Sequence, residues 1–516
     1  MVDYDTPINI KTAFLKTDSP RGLLLLNGVA AILYFYILAF LFPHGNPILF
    51  ALLIAGELFH VWQVLTFLYT VWETSWIPPT NPYITPLVDV FITVAGEPVE
   101  LVRETVSAVK RMRYPAFNVY VLNDGFVAKK SNWRAIEQMA EEERVGCITR
   151  TRPGGAKAGN INHALRLTES PLVAIFDADH VPHRDFLEKT APYFVDASVG
   201  YVQTPQFYKN YATNYLTQSS WEQQELFFGP ICKGKNRLNA ATMCGTNMLI
   251  SREALERVGG MSTESIAEDF VTGMFIHEHG YRSVYHAEVL AEGLATEDLL
   301  SYSKQQFRWA RGALDIIFRY NPLFRRGLTF AQRIQYLASA SFYVSGVVVL
   351  IDMLLPVIFF YTGLLPVRVS GMFLATIFLP YLFLTLYVIQ RSSNFAFSFP
   401  SLALSMSSFH IHLRALVAAA SRYQSTFSIT PKAQQQGNFI RLVIPHMLYI
   451  AVAAFGFLVA LSREGLSASV VNNTAWVLLN IAIVMPFIRS SISRSRVEPA
   501  TIPLPVTEPS YESLRR

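Results

Sequence analysis

Six stretches of this chain stay apolar over the roughly 20 residues a helix needs to cross a bilayer. They lie near residues 22–42, 47–71, 334–362, 371–390, 439–461 and 473–488. Only Pro43 to Asn46 separates the first two, which predicts a helical hairpin. From Trp72 to about residue 315 the pattern changes. Short apolar runs at 88–94, 119–122 and 172–176 alternate with amphipathic segments, as in the strands and helices of an α/β domain. An even number of spans puts both termini on one side. Lys11, Lys16 and Arg21 precede the first span, and Arg489, Arg494 and Arg496 follow the last. That bias predicts cytosolic termini, with the α/β domain and residues 391–438 on the same side. The expected domains are 1–72 (tail and first two spans), 73–315 (α/β domain), 316–489 (interfacial helices, a loop and four spans) and 490–516 (a disordered tail rich in Pro, Ser and charge). Residues 312–333 and 401–425 mix aromatic, apolar and basic side chains and are expected to lie at the membrane interface.

Composition strengthens this picture. Hydrophobic residues make up 51% and charged residues 16% of the chain, against about 25% charged in soluble domains. A net charge of +5 without basic blocks excludes nucleic acid as a partner class. Cys147, Cys232 and Cys244 show no C-x-x-C spacing, so neither a disulfide framework nor a zinc site is expected. No short apolar run with a cleavage site behind it marks a removable signal peptide.

The candidate chemistry is acidic. The segment PLVAIFDADHVP, residues 171–182, reads as a buried strand ending in Asp177 and Asp179. Residues i and i+2 of a strand point the same way, so both carboxylates can reach one hard cation, Mg²⁺ or Mn²⁺, which fills its shell with phosphate oxygens and water. Alone, such a pair is most often a solvated loop. The run at 119–122 ends in Asn123-Asp124-Gly125, a turn at the strand edge where open α/β sheets bind nucleotides. Without neighbours it is an ordinary Asp-Gly turn. Residues 154–160, GGAKAGN, offer a flexible loop, the cation of Lys157 and a helix start at Asn160, all suited to phosphate. Thr263 to Asp269 opens a helix with early carboxylates. Glu264 reads as part of a cap, and Asp269 as a base for a sugar hydroxyl. In QQFRW, residues 305–309, Arg308 supplies a planar fork for diphosphate and Trp309 a flat face for a pyranose; by themselves they are a surface Arg and a core Trp.

Together these residues resemble the processive family-two glycosyltransferases, above all bacterial cellulose synthase. In order, the resemblance rests on Asp89, Asp124, the K-A-G-N-x-N loop (Lys157 to Asn162), D-x-D (Asp177, Asp179), T-P-x-F (Thr204 to Phe207), an acceptor segment (Met243-Cys244-Gly245-Thr246), a T-E-D-like triplet (Ala267-Glu268-Asp269) and Q-x-x-R-W (Gln305 to Trp309). Phe427 to Lys432 resembles the family's gating loop. The resemblance implies a GT-A-type, Rossmann-like domain inserted in a bundle of about six membrane helices. It further implies Asp89 and Asp124 at the uridine, Asp177 at the diphosphate and the metal, and Asp179 at the metal. Lys157, Gln305 and Arg308 would contact the diphosphate, and Asp269, with Glu268 beside it, would carry the catalytic role. Cys244 and Gly245 would line the acceptor site, Trp309 would stack on the terminal sugar, and Thr430 and Lys432 would close over the nucleotide.

The implied activity is inverting transfer from a UDP-sugar, UDP-glucose first, into a β-1,4- or β-1,3-glucan that crosses the plasma membrane. The partners implied are the UDP-sugar, the growing polysaccharide and the lipid bilayer, with a homo-oligomer or accessory export proteins as further candidates. Ala267, Met243 and Thr246 depart from the family's Thr, Phe and Ser. A chitin- or hyaluronan-like synthase, a non-processive transferase acting on a lipid carrier and an inactive scaffold remain the alternatives. No R-x-x-x-R of a PilZ-type domain follows the sixth run, so this polypeptide is not expected to sense cyclic di-GMP.

Overall fold

A computed structural model describes residues 16–421 and 437–492. The α/β domain is built on a seven-stranded sheet in the order β3-β2-β1-β4-β8-β6-β9. Its strands are β1 (Val88–Val94), β2 (Phe117–Asn123), β3 (Gly146–Thr149), β4 (Leu172–Asp177), β6 (Val199–Gln203), β8 (Met248–Ser251) and β9 (Arg282–Tyr285). β5 (Val181–Pro182), β10 (Ala291–Gly293) and β7 (Phe207–Tyr208) form a small second sheet. Strands β3, β2, β1 and β4 are parallel, and β8 runs against both β4 and β6. Every residue of β1 is buried, because helices cover both faces of a parallel sheet and its strands lose the in-out alternation. Hydrophobic clusters lie on the two faces, one around Val90, Ile92 and Phe176 and the other around Phe91, Ile175 and Met248.

Six helices are long and apolar enough to cross a membrane: Arg21–Leu41, Pro47–Val71, Phe330–Thr362, Gly371–Ser392, Ile440–Glu464 and Ala468–Arg489. They are called the first to sixth spans below. Each falls on an apolar run read from the sequence, and the last begins five residues earlier than the run itself. Contacts join the first span to the second, the second to the third, the third to the sixth, the sixth to the fourth and the fourth back to the first, closing a ring of five. The fifth span packs against the third and sixth. The helices Phe399–Ser407 and Phe409–Ala420, bent by 41° at their junction, pack on the third and sixth spans. The segment expected at the interface from residue 312 behaves differently, since Gly312 lies inside the continuous helix Leu299–Phe318.

Asp89 is the second residue of β1, at the N-terminal end of the sheet's parallel strands. It is 1% exposed. Its carboxylate accepts hydrogen bonds from Ser170 N at 3.0 Å, Ser170 Oγ at 2.6 Å, Asn118 Nδ2 at 3.0 Å and Arg252 Nη2 at 3.0 Å. Arg252 also donates to the carbonyls of Ser170 and Leu165, so the pair ties β1 to β8 and to the turn before β4. Removing one partner of such a buried pair costs about 3–5 kcal/mol. Asp89→Ala is therefore expected to lower the unfolding temperature of the α/β domain strongly, which thermal unfolding of the variant checks.

Candidate active site

The C-terminal ends of β1, β2 and β4 share one edge of the sheet. Asp124 follows β2, Asp177 closes β4, and Asp179 comes two residues later. A cavity of about 590 Å³ opens there, within the range of small-molecule sites. Asp124, Lys157, Asp177, Asp179, Cys244, Gly245, Glu268, Asp269, Gln305, Arg308 and Trp309 all line it. The structure thus gathers segments spread over 185 residues of sequence into one pocket. Asp89 is not among them: it sits near the far end of β1, about 16 Å away at 3.3 Å per residue, and is a structural residue, not the uridine ligand expected. Thr430 and Lys432 lie outside the described residues.

Asp124 is held by a residue that sequence reading missed. Arg150 donates from Nε and Nη2 to its two carboxylate oxygens at 2.8 and 2.6 Å, and also reaches the carbonyls of Gly154 and Ala156. One guanidinium therefore fixes both the Asp124 turn and the glycine loop, with the fork geometry that lysine lacks. No spacing rule would have paired positions 26 residues apart. The helix behind the loop starts at Ala156, not Asn160, because Gly155 supplies the cap with φ +68. Lys157 therefore stands in its first turn, and Asn160 donates inward to the carbonyl of Leu122 at 2.9 Å.

Lys157 joins two sides of the pocket. Its Nζ donates to Asp177 Oδ1 at 2.5 Å and to the Gly245 carbonyl at 2.8 Å. Burial alone would lower its pKa, but the Asp177, Glu268 and Asp269 carboxylates outweigh burial and raise it, so it stays charged. Gly245 has φ +78, and a Cβ there would come within 2.7 Å of Asp269 Oδ2; both requirements select glycine. Burial pushes Asp269 above the ordinary aspartate range, opposed by the amide of Phe270 and by Lys157 and Arg308. Burial and the adjacent Asp269 raise Glu268 as well. These two acids open the helix Glu268–Glu278, whose N-cap, Ala267, makes no side-chain cap bond. The capping role expected for Glu264 is not formed; its carboxylate meets the Tyr320 hydroxyl at 3.4 Å. Cys244 is no nucleophile candidate, since burial pushes its thiol well up.

Gln305, Arg308 and Trp309 lie at i, i+3 and i+4 on the helix Leu299–Phe318, a spacing that puts them on one face. The same helix packs along Phe409–Ala420, and a buried Arg311–Asp315 pair stiffens its next turn. Near the pocket floor, Asp177, Asp179 and His180 place candidate ligand atoms within 4.8 Å of one another. Asp179 is 1% exposed, and neither ring nitrogen of buried His180 has a hydrogen-bond partner among the described residues. Two carboxylates and an imidazole whose Nδ1 lies 3.5 Å from Asp179 Oδ1 suit a divalent cation. His180 was legible as the residue next to the D-x-D but was not assigned a role from sequence.

Residues 86–312 match the family described as glycosyltransferase like family 2, and residues 256–393 match the one described as cellulose synthase. The chain is 37% identical over 306 residues to the UDP-forming cellulose synthase catalytic subunit of Xanthomonas axonopodis pv. citri, covering 57% of this chain and 41% of that protein. It is 31% identical over 456 residues to the corresponding subunit of Pseudomonas fluorescens, covering 84% and 60%, and 30% identical over 465 residues to cellulose synthase 2 of Novacetimonas hansenii, covering 84% and 28%. It thus spans less than two thirds of the length of these relatives. Among solved structures, the mannosyltransferase PcManGT from Pyrobaculum calidifontis, in complex with GDP-Man and Mn²⁺, superposes with a TM-score of 0.51 at 17% identity, over 73% of this chain and all of that one. The α/β domain shares that protein's GT-A fold.

Arg150→Ala is expected to free residues 154–159. Their amides should exchange hydrogen at least tenfold faster, while the β1 and β4 amides keep their protection, as read by exchange mass spectrometry on the intact chain.

Proposed function

We propose that this chain, a family-two glycosyltransferase domain running into a cellulose synthase segment and set among six membrane helices, is an inverting, processive UDP-sugar transferase. It builds a β-glucan, β-1,4 or β-1,3, from UDP-glucose on the cytosolic face of the plasma membrane and passes it outward. The observation that carries this reading is the single pocket in which Asp124, Asp179, Asp269 and Trp309 meet, on a helix that lies against the bundle. A nucleotide end, a charge-binding floor, a base and a sugar platform are the parts that polymer extension needs, in the order in which it needs them.

In this reading Asp124, oriented by Arg150, takes the uridine. Asp177, Asp179 and His180 would hold Mg²⁺ or Mn²⁺, which when bound supplies Lewis-acid stabilisation of the leaving diphosphate. Lys157, Gln305 and Arg308 bind the diphosphate oxygens, adding charge stabilisation where it grows during bond cleavage. Trp309 stacks on the terminal sugar of the acceptor, beside Cys244 and Gly245. Asp269 takes the proton of the acceptor hydroxyl, whose oxygen bonds to the anomeric carbon from the face opposite the diphosphate. The bond to UDP breaks, and the configuration inverts to β. Burial holds Asp269 basic enough for the task, and Glu268 lies beside it at the start of the same helix. Thr430 and Lys432 are assigned to closure over the bound nucleotide.

The decisive experiment supplies the purified chain in proteoliposomes with labelled UDP-glucose or UDP-N-acetylglucosamine and digests the product with linkage-specific hydrolases. Polymer cleaved by β-glucan hydrolases is the expected result; a single sugar on lipid would overturn the processive reading. Asp269→Asn should lower the rate about 10²- to 10⁴-fold, the usual worth of a general base, with UDP affinity within twofold. Because the base must be deprotonated and its pKa is raised, the rate of the unmodified enzyme should rise with pH along an acid limb placed above the ordinary aspartate value of about 3.9. A pH–rate profile at saturating donor checks this.

A further inference from the structure

Lys235 is a buried cation that the reaction proposed above does not use. It stands on the helix Cys232–Arg237 and is 2% exposed. Its Nζ donates to the Thr242 hydroxyl at 2.9 Å and to the Ser339 hydroxyl at 2.6 Å, and the centre of the Phe227 ring lies 5.8 Å away. Burial lowers its pKa from the ordinary lysine value, with no neighbouring carboxylate to oppose it. An apolar side chain of the same length would fill this space without desolvating a charge. What the position uses is therefore the two donated bonds.

The elements those bonds join decide the role. Thr242 precedes Cys244 by two residues, and residues 240–244 belong to no helix or strand, so side chains set their place. On one side the sheet holds them: the Tyr201 hydroxyl donates to the Ala241 carbonyl at 2.5 Å, Ala241 N to Ser283 Oγ at 3.1 Å, and Cys244 N to Gln203 Oε1 at 2.8 Å. On the other side the bundle holds them. Ser339 belongs to the third span, Phe330–Thr362, whose Gln332 also donates to the Asn239 carbonyl at 2.7 Å. Gly234, beside Lys235, lies so close to the second span that a Cβ there would overlap the Thr70 carbonyl oxygen. Thr70 in turn accepts from Gln335 of the third span at 2.9 Å. The segment leading into Cys244 and Gly245 is thus strung between the sheet and two spans, with Lys235 as a strut on the bundle side.

We propose that Lys235 is a positioning residue for the acceptor. By holding Thr242 to Ser339 it sets where Cys244 and Gly245 stand relative to the third span and to Asp269, which a Cβ on Gly245 would meet. This rests on the transfer reaction proposed above and adds to it what decides between two nucleophiles. With the segment in place, the hydroxyl of the terminal sugar attacks the anomeric carbon. With the segment displaced, water does: its oxygen bonds to that carbon, its proton passes to Asp269, the bond to UDP breaks, and free sugar is the product. A misplacement of about 1 Å costs on the order of 100-fold in rate, so a small drift shifts the partition.

The test uses the full chain in proteoliposomes with UDP-glucose labelled in the sugar, and compares label in polymer with label in free glucose. Lys235→Met keeps the length and loses both donors. It should raise free sugar per polymerised sugar by about fivefold or more, with KM for UDP-glucose within about twofold. Ser339→Ala removes only the end of the link on the third span and should raise the ratio by about threefold or more. Combining the two should add nothing to Lys235→Met, because both cut one link. Where Lys235→Met fails to fold, Ser339→Ala carries the test. An unchanged ratio in Ser339→Ala, or in a Lys235→Met chain whose one change is a lower unfolding temperature, assigns Lys235 to packing and overturns the positioning role alone. If the unmodified chain makes no polymer from UDP-glucose or UDP-N-acetylglucosamine, the transfer reaction itself fails and the positioning role with it.

Discussion

Four carboxylates, those of Asp177, Asp179, Glu268 and Asp269, converge on one pocket, and their crowding is the constraint around which the site is built. Like charges this close favour proton uptake unless cations stand among them. Lys157 and Arg308 do so: both lower Asp269, and Lys157 bonds Asp177 directly. The balance leaves the two halves of the pocket different. Asp177 is neutralised by contact, while Asp269 is only partly compensated and is shifted toward the neutral form. The acids and the cations of the pocket are interleaved and not segregated.

Elements whose signal is local were legible in the sequence. Strand β1 and all six spans follow from runs of apolar residues, and β4 closes one residue beyond its run because Asp177 still pairs with Thr93 in the ladder. Three readings failed where the determinant lies elsewhere in the fold. Asp89 sits at the start of its strand and Asp124 just past the end of its own, and in a parallel sheet these are opposite edges; the strand position was visible but its consequence was not drawn. The loop helix starts at Ala156 because Gly155 adopts a left-handed conformation, a choice invisible in a run of small residues. Helix Leu299–Phe318 continues through Gly312 because Gly312 packs directly on Ala267, where a Cβ would come within 2.4 Å of the Ala267 Cβ.

That last contact also bears on a departure from the cellulose synthase pattern. Ala267 stands where the family usually has Thr, and the close approach of Gly312 leaves no room for a larger side chain at that spot. The two small residues let the helix bearing Gln305, Arg308 and Trp309 press against the start of the helix bearing Asp269. Trp309 and Asp269 are thereby held near each other by the backbone proximity of their two helices. Arg150 and His180 were both missed from sequence, the first because it acts across 26 residues to bind a strand edge to a loop, the second although it adjoins the carboxylates at the end of β4.

The ring of five spans has a geometric corollary. Cylinders packed at the usual helix spacing of about 8–10 Å and touching in a closed pentagon leave a bore about 0.7 of that spacing across, on the order of 6–7 Å. On the function proposed above, a strand leaving through a ring this narrow would travel singly, so lateral association between strands would begin only beyond the last turn of the spans.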